Sequence, residues 1–333
     1  MHRLLPIALV VIGLAVVVVS LMGPAPEGRC LATPRTPGDS VAFAQVERKT
    51  ALAATVHYRD GLDLDVRLAP QRIVSTLPGI TEMLAHLGAL DRLVGRSPWC
   101  DTPSTVTVLP AVSVQPLSAE ELLALEPDLV VLDRRLHRQD LDAVMRHVPH
   151  VLLLETSSSL GQLGASFTLL ADVLDDERAR EAARGWNAHR VELQQAVQIL
   201  HRSPPPRVLL VGQWEPLFAL GPGSLLDDVL ATLGAVNVAC DLSTDASGVF
   251  SDELALARKP DWILGPGDPM PQRLHSLLST TPAVQEGRVL PVVGVDAFAR
   301  GGPRILDATA LLARRMLGYG ERPDDAPGEG EPR

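Results

Sequence analysis

Leu163, Phe167, Leu170, Leu174, Ala182, Trp186, Leu193, Val197 and Leu200 recur at three- and four-residue steps between Ser157-Ser158-Ser159 and Pro204-Pro205-Pro206. That is the spacing of one helix face. The chain carries 28 prolines, yet none falls between Pro149 and Pro204, the longest such gap. Proline breaks helices by removing a donor and crowding the preceding turn. The serines offer N-cap oxygens and the proline run stops the element. The spacing therefore predicts one long helix within residues 159–203, roughly 57 Å if continuous. Gly185 is the candidate break.

The flanks of this helix resemble each other. Thr81-Glu82-Met83-Leu84-Ala85-His86-Leu87-Gly88-Ala89 stands before it, and Asp227-Asp228-Val229-Leu230-Ala231-Thr232-Leu233-Gly234-Ala235 after it. Leu125-Glu126-Pro127-Asp128-Leu129-Val130-Val131-Leu132 is matched, in the same order, by Arg258-Lys259-Pro260-Asp261-Trp262-Ile263-Leu264. A duplicated α/β lobe is the economical explanation. Apolar strands are expected at Arg72–Thr76, Leu129–Leu132 and Val151–Leu154 in the first lobe. The second should hold Val208–Val211, Trp262–Leu264 and Val289–Val293. Short apolar strands alternating with helices imply parallel sheets covered on both faces. Arg59-Asp60-Gly61 between Thr55–Tyr58 and Leu64–Leu68 signals a hairpin. The fold class is α/β: two Rossmann-like lobes joined by a single long backbone helix. Ligands of open α/β sheets bind beyond the carboxyl ends of the strands, so the expected cleft lies between the lobes.

The full chain has 333 residues, 46% apolar and 21% charged, which is enough for a two-lobe core. Thirty Lys and Arg against forty Asp and Glu give a net charge of −10, the wrong sign for a nucleic-acid binder. Three cysteines exclude a disulfide scaffold. Leu4 to Met22 is an almost unbroken apolar run behind His2 and Arg3. It reads as an uncleaved membrane anchor, with a cleaved signal peptide as the alternative, and either exports the chain. Residues 23–51 read as a flexible linker and 320–333 as a disordered tail. The lobes are then residues 52–158 and 204–319, around the helix at 159–203.

Pro70-Gln71-Arg72-Ile73-Val74-Ser75, Thr81-Glu82 six residues before Gly88, and Gly223-Ser224-Leu225-Leu226-Asp227-Asp228 occur together in one chain. With the hairpin around Asp60-Gly61 they resemble the Fe³⁺-siderophore, haem and vitamin B12 class of substrate-binding proteins of ABC importers. The resemblance covers roughly residues 55–317. It implies two α/β lobes, a helical backbone, a metal-chelate ligand in the cleft, and an ABC permease with its ATPase as partner. Gly95-Arg96-Ser97-Pro98-Trp99-Cys100-Asp101-Thr102-Pro103 and Asp296-Ala297-Phe298-Ala299-Arg300-Gly301-Gly302-Pro303-Arg304 are similar to ligand-facing segments of the vitamin B12 binders. Trp214 also sits where those proteins place a tryptophan. The resemblance thus implies Trp99, Trp214, Phe298 and Arg300 as ligand-binding residues for a cobalamin-like corrinoid, with a ferric siderophore or haem as the alternative. Val114 and Asp133 stand where those binders place further aromatics. Glu82 and Asp228, at matching positions in the two lobes, are the implied permease-docking acids, expected on the outer rim.

The chain has only 11 aromatic residues, so a cleft aromatic is a sizeable share of the total. Trp186 and Trp262 lie on a helix face and in a strand and are expected in the core. Arg300, flanked by Gly301-Gly302, can aim a fork of donors at ligand oxygens. Glu82 and His86, and His147 and His150, lack further ligands at metal-site spacing and read as solvated or capping side chains. Cys100 and Cys240 are expected as two unpaired thiols, with a disulfide between them as the alternative. No phosphate-cradling glycine loop, nucleophile elbow or zinc-protease motif occurs. Neither a metal nor a cofactor is expected, and an exported enzyme using the same cleft is the reading from another class.

Overall fold

The computed structural model describes residues 42–114, 117–135, 141–242, 247–292 and 296–318. The expected anchor at 1–22 and the tail at 320–333 lie outside the described residues. Among the described residues no helix is long and apolar enough to cross a membrane.

An antiparallel sheet opens the chain: β1 (Ala44–Arg48), β2 (Ala53–Tyr58) and β3 (Asp63–Arg67). The hairpin was legible, but β1 falls within the stretch read as linker. Ala44 and Val46 face inward while Gln45 and Glu47 face out, and Phe43 stacks on Tyr58. Tyr58 fastens this sheet to the first lobe: its hydroxyl donates to the Leu153 carbonyl (3.2 Å) and accepts from the Leu153 amide (2.8 Å).

The first lobe is built on β4 (Ile73–Ser75), β5 (Leu93–Arg96), β6 (Leu129–Asp133) and β7 (Val151–Leu154). They are ordered β5-β4-β6-β7 and all parallel. Helix α1 (Pro78–His86) follows β4, with Pro78 preset for its first turn. The second lobe is built on β8 (Arg207–Gln213), β9 (Phe218–Leu220), β10 (Val236–Asn237), β11 (Ser247–Val249), β12 (Trp262–Gly265) and β13 (Val289–Pro291). Here β8, β12 and β13 run parallel, β10 joins β8 in parallel, and β9 and β11 extend β8 antiparallel.

The segment between the lobes departs from the single helix expected over 159–203. It is α2 (Leu160–Leu174) and α3 (Glu177–Gln198). Asp175 ends α2 in the left-handed conformation (φ 52°), and the Asp176 carboxylate caps α3 by accepting from the amides of Arg178 and Ala179. The two helices fold back on one another. Phe167 and Trp186 stack with ring centroids 4.6 Å apart, and Asn187 Nδ2 donates to the Gly164 carbonyl at 3.0 Å. One apolar face runs through both helices, so periodicity alone hides the reversal. The stop is a pair of aspartates, of which one tolerates the left-handed region and the other caps. Gly185, the expected break, lies inside α3. The backbone helix proper is α3, 22 residues and roughly 33 Å long.

Helix α4 (Leu225–Thr232) is the second lobe's counterpart of α1, and α5 (Ile305–Leu317) closes the described chain. The duplicated Leu-Gly-Ala phrases are helix stops: Gly88 (φ 74°) and Gly234 (φ 66°) take the left-handed position that ends α1 and α4. Leu226, Val229 and Leu230 of α4 join the core formed by α1, α2 and the first lobe, whereas Leu209, Val211, Phe250 and Ile263 form a second core inside the other lobe.

Candidate functional site

The carboxyl ends of the first-lobe strands, the start of α4 in the second lobe and the segment before α5 frame a cleft of about 520 Å³. Leu77 follows β4, Asp133 ends β6 and Thr156 follows β7 on the first-lobe side. Leu220, at the end of β9, and Ser224 and Leu225, at the start of α4, face them from the second lobe. Phe298 and Arg300 close the third side. The lobes are joined beside it: the Leu225 amide donates to the Ser157 carbonyl (2.9 Å).

Phe298, in the short helix Asp296–Ala299, and Arg300, just after it, arise from the second lobe and seat on the first. Gly79, in the first turn of α1, lies beneath the carbonyls of Arg300 and Gly301, and a methyl group there would collide with both. Gly301, at φ 57°, is in turn pressed against the Thr156 carbonyl. These close approaches leave room only for glycine. Phe298 is 7% exposed at the cleft wall. Arg300 reaches Asp101 with both terminal nitrogens and lies 3.7 Å from a Glu82 oxygen. The Arg300 guanidinium, with help from the Thr102 hydroxyl, holds the Asp101 carboxyl down to about 2. Arg300 thus lies in the cleft wall, already engaged by first-lobe acids.

Trp99 is 53% exposed, on the loop that also carries Asp101. It is two residues from the partner of Arg300 but does not line the cleft. Trp214 does not line the cleft. Its ring turns into the second lobe's own core, over Gly265, where a side chain would collide with the indole. Its Nε1 donates to the Asp268 carbonyl at 2.9 Å. The position just beyond β8 was legible, and the glycine at the end of β12 that draws the ring inward is the signal that was missed. Trp186 is in the core as expected, and Trp262 is only partly buried, beneath Arg288.

Glu82 and Asp228 are not rim acids. Glu82 is 4% exposed and accepts from two Arg304 nitrogens, Nε at 2.9 Å and Nη2 at 2.7 Å. Asp228 is 7% exposed and accepts from the Leu160 amide at 2.9 Å, at the start of α2. Their matched sequence positions do become matched structural positions, one per lobe, but each is turned inward to meet a donor from outside its own helix.

Sequence reading also passed over Arg135. It lies in the cleft, and its Nη1 donates to the Gly223 carbonyl of the other lobe at 3.3 Å. Asp133 beneath it is 2% exposed and accepts from the Arg135 amide (2.9 Å) and from the amide and hydroxyl of Thr156 (3.1 and 2.6 Å). Val114, the other departure, is buried. Among the described residues no cluster of three or more His, Cys, Asp or Glu side chains forms a metal site. Cys100 is a buried free thiol and Cys240 is disulfide-bonded, so these two are not each other's partners and Cys240 is not an unpaired thiol.

Comparison with known proteins agrees with this architecture. A protein named vitamin B12-binding protein from Pectobacterium atrosepticum is 30% identical over 255 residues, covering 74% of this chain and 88% of its own length. The crystal structure of the periplasmic vitamin B12-binding protein of Vibrio cholerae superposes with a TM-score of 0.66 at 22% identity, covering 77% of this chain and all of that one. A periplasmic haem-binding protein from Pseudomonas aeruginosa gives 0.62 at 25% identity, covering 76% and 94%. The family model described as periplasmic binding protein matches residues 73–291. With two α/β lobes, a cleft lined by both and these relatives, the chain belongs to the periplasmic binding protein family.

Proposed function

We propose that the protein works outside the cytoplasmic membrane as the substrate-binding component of an ABC importer. It captures cobalamin or a related corrinoid in the cleft and delivers it to the permease. What carries the reading is the cleft itself, walled by Phe298, Leu77, Leu220 and Leu225 and fringed by Arg300 and Arg135. A corrin offers apolar faces and a polar edge, and such a cavity suits both. The relatives named as vitamin B12-binding proteins support the corrinoid, and the haem-binding structures supply the alternative. Trp99 closes over the ligand from the rim. The apolar run at 4–22 holds the protein at the membrane in this reading. Docking uses Glu82 and Asp228 through an exchange of partners, in which a permease arginine takes the Glu82 carboxylate as Arg304, itself 41% exposed, turns away.

Titration of intrinsic tryptophan fluorescence with cobalamin, haem and ferric siderophores is expected to show saturable quenching by one of these classes, led by cobalamin. Silence toward cobalamin and its precursors with saturation by haem or a siderophore would transfer the assignment to that ligand. Silence toward all three would end it.

A further inference from the structure

Two arginines border the cleft, and their surroundings differ. Arg300 is neutralised from within the protein by Asp101 and Glu82. Arg135 has no such partner among the described residues: its guanidinium makes one hydrogen bond, to the carbonyl of Gly223, and carries an exposed charge into the cleft. The acid nearest in sequence, Asp133, is turned inward and receives Thr156 and the Arg135 backbone amide rather than the guanidinium. Glu155, in whose field Arg135 lies, is bound to Arg134 and to the Ser158 hydroxyl.

One helix dipole acts in the same sense. Helix α1 begins at this cleft with Leu77 and Pro78, without a side-chain cap and with no acid in its first turn, whereas the first amide of α2 is taken by Asp228 and α4 carries Asp227 and Asp228 in its own first turn. A helix N-terminus carries roughly half a positive charge, and negative groups are stabilised near it. The end of α1 and one exposed guanidinium, in a cavity with largely apolar walls, favour a ligand whose edge bears an anion. A guanidinium offers that anion a planar pair of donors.

Resting on the binding-protein reading above, we infer that Arg135 is a specificity-determining residue, and that the cleft selects chelates carrying an anionic peripheral group, a carboxylate or a phosphodiester, over equally apolar chelates that lack one. The competing role for Arg135 is a strut, holding the lobes together through Gly223. A strut would serve charged and neutral ligands alike.

The test pairs each chelate with its neutralised form. Haem carries two carboxylates, and its dimethyl ester carries none. Cobalamin carries a phosphodiester, and cobinamide lacks it. The full chain and its Arg135→Ala and Arg135→Lys variants are titrated with all four by tryptophan quenching. The charged member of at least one pair is expected to bind the unaltered chain roughly 10- to 100-fold more tightly, the scale of one hydrogen bond to a charged group. Arg135→Ala should erase that ratio by weakening the charged member alone, and Arg135→Lys should keep part of it. Equal affinity within both pairs, or equal weakening of both members by Arg135→Ala, overturns the inference while leaving the binding protein intact. Failure of all four to bind removes the binding-protein reading and this inference with it.

Discussion

The two lobes use the same device to pin their first strand. Asp128, after the left-handed Glu126 (φ 44°), accepts from the amides of Gln71 and Arg72, and its own amide donates back to the Arg72 carbonyl. Asp261, after the left-handed Lys259 (φ 43°), accepts from the Arg207 amide and donates back to the Arg207 carbonyl. Arg72 and Arg207 both return a guanidinium bond to carbonyls of that turn. At the other end of the strands the likeness stops. Strand β6 ends in Asp133 and leads to Arg135, open to the cleft, whereas β12 ends in Gly265 beneath the Trp214 ring. The amino ends of the strands keep the frame in both halves, and the carboxyl ends have diverged. That is where an α/β sheet meets its ligand.

The sharpest way to break this comparison is to treat the two tryptophans alike. Trp214→Ala is expected to destabilise the protein by about 3–5 kcal/mol, the usual loss for a buried tryptophan, read as a lower urea midpoint. Trp99→Ala should change stability by less than about 0.5 kcal/mol while weakening ligand binding. A stable Trp214→Ala protein with impaired binding would return Trp214 to the cleft.

The paired acids come next. Glu82→Gln removes the charge that faces Arg304 and Arg300, although Arg304 is half exposed and Arg300 keeps Asp101. It should cost about 2 kcal/mol, the scale of a hydrogen bond to a charged group. Asp228→Asn retains an oxygen for the Leu160 amide and should cost about 1 kcal/mol. If both acids also dock the permease, the double variant will lose uptake while the folded protein keeps its ligand affinity. Undiminished uptake would confine both residues to a structural role.

The smallest effect concerns pH. In the folded protein the Asp101 carboxyl is held down to about 2 by Arg300. The ordinary value is about 3.9. A lowered carboxyl stabilises the fold above its ordinary value, and that contribution is lost as pH falls through the folded value. This pair should therefore hold unchanged from about pH 5 upward, with ligand affinity flat across that range. A step in affinity near neutrality that Asp101→Asn abolishes would show the tie to be weaker than its geometry.

Much of the frame was legible because repetition made it so. The Pro-Asp and Leu-Gly-Ala phrases each did the same local work twice, and the strands behind them were continuous and apolar. The helical reversal was not legible, because Leu163, Phe167, Trp186 and Val197 face one core whether or not the helix turns back at Asp175. Within the site, Phe298 and Arg300, named through the resemblance of their segment, lie in the wall of the cleft. Trp214 and the paired acids were misplaced, because position along a strand or helix does not tell which neighbour claims a side chain. Gly265 claims the first, Arg304 and the Leu160 amide the others.

The seating of the Arg300–Arg304 loop on Gly79 has a consequence for the order in which the molecule can be made. A chain emerging from the ribosome presents its first lobe long before this loop exists, and domains generally fold as they emerge. Here the first lobe cannot finish early. The Gly79 cradle stands open and Glu82 lacks its arginines until residues beyond 299 arrive. A segment made late in synthesis thus completes contacts that belong to the first lobe.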